Sequence, residues 1–179
     1  MKIHILGASC AGSTTLGEAL SKQLNIPYFD TDSFFWEKSA IPYTVKREPL
    51  LRNQMLKDEL SRSENYIVGG SLVSWGEEWK QMFDLVVFLY LPKEIRMERL
   101  VNREIERYGN RIYDDPQRHQ LFLEFIEWAS KYEDRSFPGR NIGIHENWLE
   151  DLNCPVIKIE GDTTVAERLS CIVKKTKEN

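Results

Sequence analysis

Residues 2–24 place three signals in an order that few folds permit. KIHIL (2–6) is a short apolar run, GASCAGST (7–14) is a glycine loop, and Leu16, Leu20 and Leu24 then recur every fourth residue with Ala19 on the same face. A run of this length reads as a buried strand and the four-residue spacing reads as an amphipathic helix, so the chain opens as strand, tight loop and helix. Four further short runs read as buried strands: PYFD (27–30), YIVG (66–69), LVVFLYL (85–91) and PVIKI (155–159). Helical patterns separate them. Leu50, Leu51, Met55 and Leu60 predict a helix before the third strand. Lys93–Tyr108 predicts a long helix with Ile95, Leu100, Val101 and Ile105 inward, and two more are expected near 117–132 and 165–174. Near-continuous apolar strands alternating with helices imply an α/β fold, a five-stranded parallel sheet covered by helices on both faces. In such sheets ligands gather at the carboxyl ends of the strands, so the segments at 7–14, 30–36, 69–76 and 92 onward should converge.

The loop between the first strand and helix carries glycine, four residues and glycine, at Gly7 and Gly12. Glycines at those positions let successive backbone N–H groups turn toward one anion, and the following helix adds its positive N-terminal end. A loop of this kind ordinarily continues with a lysine that reaches the outer phosphates and then a hydroxyl that binds Mg²⁺. Thr14 supplies the hydroxyl, but Ser13 stands where the lysine belongs. Serine donates a hydrogen bond and neutralises nothing, so any missing charge must come from elsewhere. The alternative for GASCAGSTT is an ordinary glycine turn.

Composition narrows the function classes. The 179 residues suffice for one closed core. With 24 basic and 28 acidic residues and a net charge of −4, no polycationic footprint for nucleic acid exists, and any basic site must be local. The three cysteines, Cys10, Cys154 and Cys171, are far apart and lack metal-ligand spacing, which fits a reduced compartment. The first residues have no long apolar core of a signal peptide, and LVVFLYL is too short to span a bilayer. The expectation is a cytoplasmic protein with no membrane partner.

Arg96, Arg99, Arg103 and Arg107 follow LVVFLYLP at spacings of three, four and four, which puts them on one helical face. Glu104 and Glu106 could relieve the last of them, whereas Arg96 and Arg99 have no acid three or four residues away. The stripe suits an anion; the alternative is a solvated charged face. Arg111, Arg135 and Arg140 flank the next segment and could join as it closes. The second strand ends in Asp30, Thr31 and Asp32. One aspartate could serve Mg²⁺ with Thr14 and the other the acceptor, because Mg²⁺ needs few carboxylates; both could instead cap the next helix. Gly69 and Gly70 permit close approach of a ligand, or simply a tight turn. Phe34, Phe35, Trp36 and Tyr43, with Lys46, Arg47 and Arg52, suit a flat or anionic acceptor. Core packing is the alternative for each aromatic, as it is for Trp75 and Trp79.

GASCAGSTTLGEAL, a strand ending DTD and a strand ending GGS together resemble the P-loop nucleoside-monophosphate-kinase-like family. The strand ends are similar to those of shikimate and gluconate kinases, and FLYLPKEIRMERLVNRE resembles the arginine-bearing helix before the lid of adenylate kinases. The resemblance implies a three-layer P-loop NTPase fold over residues 1–179, with an acceptor-binding insertion near 33–64 and a small helical lid near 108–142. It implies ATP and Mg²⁺ as cofactors and transfer of the γ-phosphoryl group to a nucleotide or hydroxylated metabolite. Gly7, Ala8, Ser9, Cys10, Ala11, Gly12, Ser13, Thr14 and Thr15 would hold the phosphates, joined by Arg96, Arg135 and Arg140. Thr14 and Asp30 would hold the metal, and Asp30, Asp32, Arg99 and Arg103 would carry catalysis. Asp32, Phe35, Lys46, Arg47, Arg52 and Gly70 would meet the acceptor, and GDTT (161–164) would lie beside adenine. Two features depart from the family: Ser13 for lysine, and a lid without the usual arginine pattern. Those departures keep a second expectation in view, a nucleotide-binding regulatory protein with little or no turnover. A hydrolase that moves a partner lacks the second acidic strand end it would need.

Overall fold

A computed structural model describes residues 1–177. Along the chain run β1 (Lys2–Gly7), α1 (Ser13–Leu24), β2 (Tyr28–Asp30), α2 (Thr31–Phe35), α3 (Pro49–Leu60) and β3 (Tyr66–Gly69). After a 3₁₀ turn (Glu77–Gln81) come β4 (Leu85–Tyr90), α4 (Lys93–Tyr108), α5 (Arg111–Asp114), α6 (Pro116–Ser130), α7 (Ile142–Glu150), β5 (Val156–Glu160) and α8 (Val165–Lys177). The five strands form one parallel sheet in the order β2-β3-β1-β4-β5. Every predicted strand is present, and the α/β architecture stands.

Alternation along the strands divides the core. Ile3, Ile5, Ile67, Leu85, Val87 and Leu89 face one side, where they pack with Leu16 and Leu20 of α1 and Ile172 of α8. Leu6, Val68, Val86 and Phe88 face the other, against Phe34, Leu56, Leu60, Trp75, Trp79 and Trp148. Both faces are dry, as a parallel sheet requires. Trp75 and Trp79 are therefore core residues, and so is Phe34.

Two helices turn differently from the expectation. In α3 the inward positions are Arg52, Leu56 and Leu60, while Leu50, Leu51 and Met55 face solvent. Arg52 replaces an aliphatic side chain by stacking its guanidinium 5.0 Å from the Phe35 ring and 4.4 Å from the Trp75 ring. In α4 the inward line is Arg96, Leu100 and Glu104, and Ile105 is exposed. The short helices α2 and α5, and α7 with its Asn141 cap, add to the predicted set; the Asn141 side chain accepts from the Ile144 N–H at 3.0 Å.

Candidate functional site

β1 ends where Gly7 passes β4 so closely that a Cβ there would lie 2.5 Å from the Leu89 carbonyl. The chain then curls. Cys10 and Gly12 adopt left-handed φ angles of 65° and 99°, and the Ala11 N–H closes a turn on the Ala8 carbonyl at 3.0 Å. Gly12 is the N-cap of α1 and offers no side chain to its first-turn N–H groups. A curled loop feeding an uncapped helix start is a concave set of donors suited to phosphate oxygens. The loop sits at the centre of the sheet, beside the carboxyl ends of β3 and β4.

The Thr14 hydroxyl donates to Asp30 Oδ2 at 3.0 Å, and the other oxygen of Asp30 accepts the Asp32 N–H at 2.9 Å. Asp30 thus caps α2 through one oxygen and faces Thr14 through the other. Asp32 follows two residues on, in the first turn of α2, and is exposed. Crowding by protein and then the Asp30 charge raise its pKa, against the pull of Arg140, Arg103 and Arg107. Among the described residues no group of three His, Cys, Asp or Glu side chains could hold a metal alone. One hydroxyl and one carboxylate beside a phosphate cradle do fit Mg²⁺, which keeps most of its shell as water and phosphate oxygen.

The arginines separate into two groups. Arg140 Nη2 donates to Ser9 Oγ at 3.2 Å, and its Nε is buried without a partner among the described residues. Arg103 and Arg107 flank buried Glu104, at 3.2 and 3.8 Å, and their charges bear on both Cys10 and Asp32. One carboxylate between two guanidinium groups leaves a positive charge over, directed at the loop. Burial is the larger influence on the Cys10 thiol and pushes its pKa up.

Arg96, expected among the phosphate cations, is instead fully buried. It grips Glu133 through two contacts of 2.9 and 3.0 Å and donates to the Ala129 carbonyl at 3.0 Å. Arg99 pairs with Asp162 and Arg135 with Glu146. These acids lie far away in sequence, so spacing along one helix gave no sign of them. Arg47 donates to the Phe34 carbonyl at 2.6 Å and closes the end of α2. Arg52 donates to the Ser74 carbonyl at 3.2 Å, and Lys46 lies 6.0 Å from the Phe35 ring. Tyr43 stacks beneath Arg107 at 5.6 Å, so the segment after α2 reaches across to α4. Gly70, with φ of 102°, sits against the Thr31 side chain.

Two parts of the surroundings had no signal in the sequence. Ser71 Oγ and Tyr132 hydroxyl bracket the buried His145 ring at 3.1 and 2.8 Å, forming a wall beside Gly70. Arg168 of α8, also buried, donates from Nη1 to the Ala11 carbonyl and from Nε to Thr163 Oγ1, both at 2.9 Å.

The model of an AAA domain matches residues 3–120. An uncharacterized protein, YqaC, of Bacillus subtilis is 43% identical over 171 residues, 96% of this chain and 94% of that protein. The shikimate kinase of Aquifex aeolicus is 34% identical over 110 residues, which span 55% of this chain and 65% of the kinase. Cytidylate kinase 2 of Borreliella burgdorferi is 27% identical over 121 residues, 62% of this chain and 66% of that enzyme. Among solved structures, shikimate kinase from Bacteroides thetaiotaomicron superposes with a TM-score of 0.58 at 17% identity, covering 99% of this chain and 98% of the other. The shikimate complex of the Acinetobacter baumannii enzyme gives 0.54 at 19% identity, over 99% and 93%. At that identity the structures share the fold.

Proposed function

The chain belongs to the AAA domain family and is related to P-loop kinases, and on that premise we propose that it is an ATP-dependent phosphotransferase acting on a small hydroxylated or nucleotide acceptor. The observation that carries the reading is the Thr14–Asp30 hydrogen bond at the mouth of the glycine loop, where one hydroxyl and one carboxylate lie beside a ready phosphate cradle. In this reading backbone N–H groups from Ala8 to Thr15 hold the phosphates. Thr14 and Asp30 hold Mg²⁺, which supplies charge neutralisation when bound. Asp32 faces the acceptor hydroxyl, and its raised pKa suits a group that takes a proton. Gly70 and the Ser71 wall bound the acceptor side. Arg140, Arg103 and Arg107 replace the charge that Ser13 lacks, with residues 108–142 acting as the lid that brings Arg140 onto the loop. Catalysis of this kind is positioning and charge neutralisation, with no covalent step on the protein.

The test is calorimetric titration with ATP, with and without Mg²⁺, followed by a transfer screen against nucleoside monophosphates and hydroxy acids related to shikimate. Magnesium-sensitive binding with transfer supports the reading. Binding without transfer to any acceptor favours a regulatory nucleotide-binding protein, to which the uncharged Ser13 points. Absence of binding refutes both.

A further inference from the structure

Arg168 has a place that neither the kinase reading nor the arginine stripe explains. It stands on α8, more than 150 residues along the chain from the glycine loop. Its relative exposure is 5%, and its Nη1 donates to the Ala11 carbonyl at 2.9 Å. The fit is tight: a Cβ on Gly12 would lie 2.8 Å from that same nitrogen. Nε holds Thr163 in the loop after β5. Among the described residues no carboxylate comes within ion-pair distance of Arg168. The nearest charges are Asp162, already paired with Arg99, and Arg99 itself. A desolvated guanidinium without a paired acid is costly, and it stays protonated because arginine does not release its proton in proteins.

The peptide it binds is the relevant one. The Ala11 carbonyl and the Gly12 N–H belong to a single peptide unit, and among the described residues nothing accepts from that N–H. A cation on the carbonyl oxygen draws density from the amide and makes its N–H a stronger donor. Arginine has donors only, so it takes a carbonyl and uses up none of the loop N–H groups, that of Gly12 among them. Its positive charge then adds to the first turn of α1, which begins at the next residue.

We propose that Arg168 is the cation that supports the lysine-free loop from behind, a positioning residue that strengthens phosphate binding through the Ala11–Gly12 peptide without touching the ligand. The inference rests on the loop being a nucleotide site. It also ties that site to the segment after β5, because one guanidinium holds Thr163 and the loop together.

The test compares ATP and pyrophosphate binding by calorimetry for the full chain, R168M, R168K, S13K/R168M and the unaltered protein, with thermal melting and a salt series in parallel. A full charge a few ångströms behind a binding loop should change affinity about tenfold or more. R168M should therefore weaken both ligands by about tenfold or more and flatten the salt dependence, whereas R168K should stay within about threefold. S13K/R168M should regain most of the loss, because lysine at 13 restores charge yet cannot bond the Ala11 carbonyl. If R168M binds within twofold of the unaltered protein, the inference fails. If R168K loses as much as R168M and S13K restores nothing, Arg168 is a scaffold strut and the inference fails likewise. Should R168M not fold, R168K decides by the same threefold criterion. If the unaltered protein binds neither ligand, the nucleotide reading falls and this inference with it.

Discussion

His4 and His145 are both enclosed in the half of the core that faces α7. His4 keeps one hydrogen bond, Nδ1 to the Val68 carbonyl at 3.0 Å, and stacks 4.9 Å from the Phe83 ring with Trp148 at its edge. His145 is bracketed by Ser71 and Tyr132. Burial lowers their pKa to about 4 and about 3; the Val68 carbonyl resists this for His4, and the Arg140 charge reinforces it for His145. In the unfolded chain both titrate at the ordinary value near 6.5. Below that pH the unfolded state therefore binds more protons than the folded one. Stability is complete above about pH 6.5 and falls as the pH drops toward 4. Between pH 7 and pH 5 each histidine costs about 2 kcal/mol, and the two together about 4 kcal/mol. Carboxylates held low by their partners, such as Glu78 and Asp134, add their losses only below the ordinary carboxylate range. In the window from 5 to 7 the two histidines dominate, with Asp32, whose folded pKa is raised, acting in the opposite direction. Urea unfolding followed by tryptophan fluorescence should show a midpoint falling by about 2 M over this window, at a slope of about 2 kcal/mol per molar. His4→Phe should halve the dependence. A midpoint that stays level from pH 7 to 5 would refute the argument, as would an NMR titration that finds either ring protonating near 6.5 in the folded protein.

Glu133→Ala strands the fully buried Arg96 charge, and should lower stability by about 3 kcal/mol, the lower end of the range for broken buried pairs because the Glu133 side chain is 26% exposed. Thermal melting should register this as a drop of several degrees, while an unchanged melting temperature would show that the pair contributes little. Thr14→Val keeps the shape of the side chain and removes its bond to Asp30. ATP affinity without Mg²⁺ should stay within about twofold, and the gain on adding Mg²⁺ should shrink about tenfold or more, as one direct ligand is lost. An unchanged magnesium dependence by calorimetry would remove Thr14 from the metal's surroundings.

The strands, the glycine loop and the Thr14–Asp30 pair were legible because each is local: a run, a spacing, or two strand ends that a parallel sheet must bring together. The long-range electrostatics were not. Arg96 had no acid three or four residues away along α4, and its partner Glu133 comes from the segment after α6. Arg168 sits among ordinary helix residues, and only the packing of α8 against α1 brings it to Ala11. In α3 the apolar residues were visible, but the face was not. Arg52 reads as a solvated cation, yet its flat guanidinium stacks on two aromatic rings in the core.

Asp30 divides its two oxygens, Oδ1 to the first turn of α2 and Oδ2 to the hydroxyls of Thr14 and, more weakly, Tyr28. A ligand at Oδ2 competes with these two hydroxyls and leaves the cap of α2, held by Oδ1, standing. The start of α2 is thereby fixed by the fold itself, independent of whatever occupies the glycine loop.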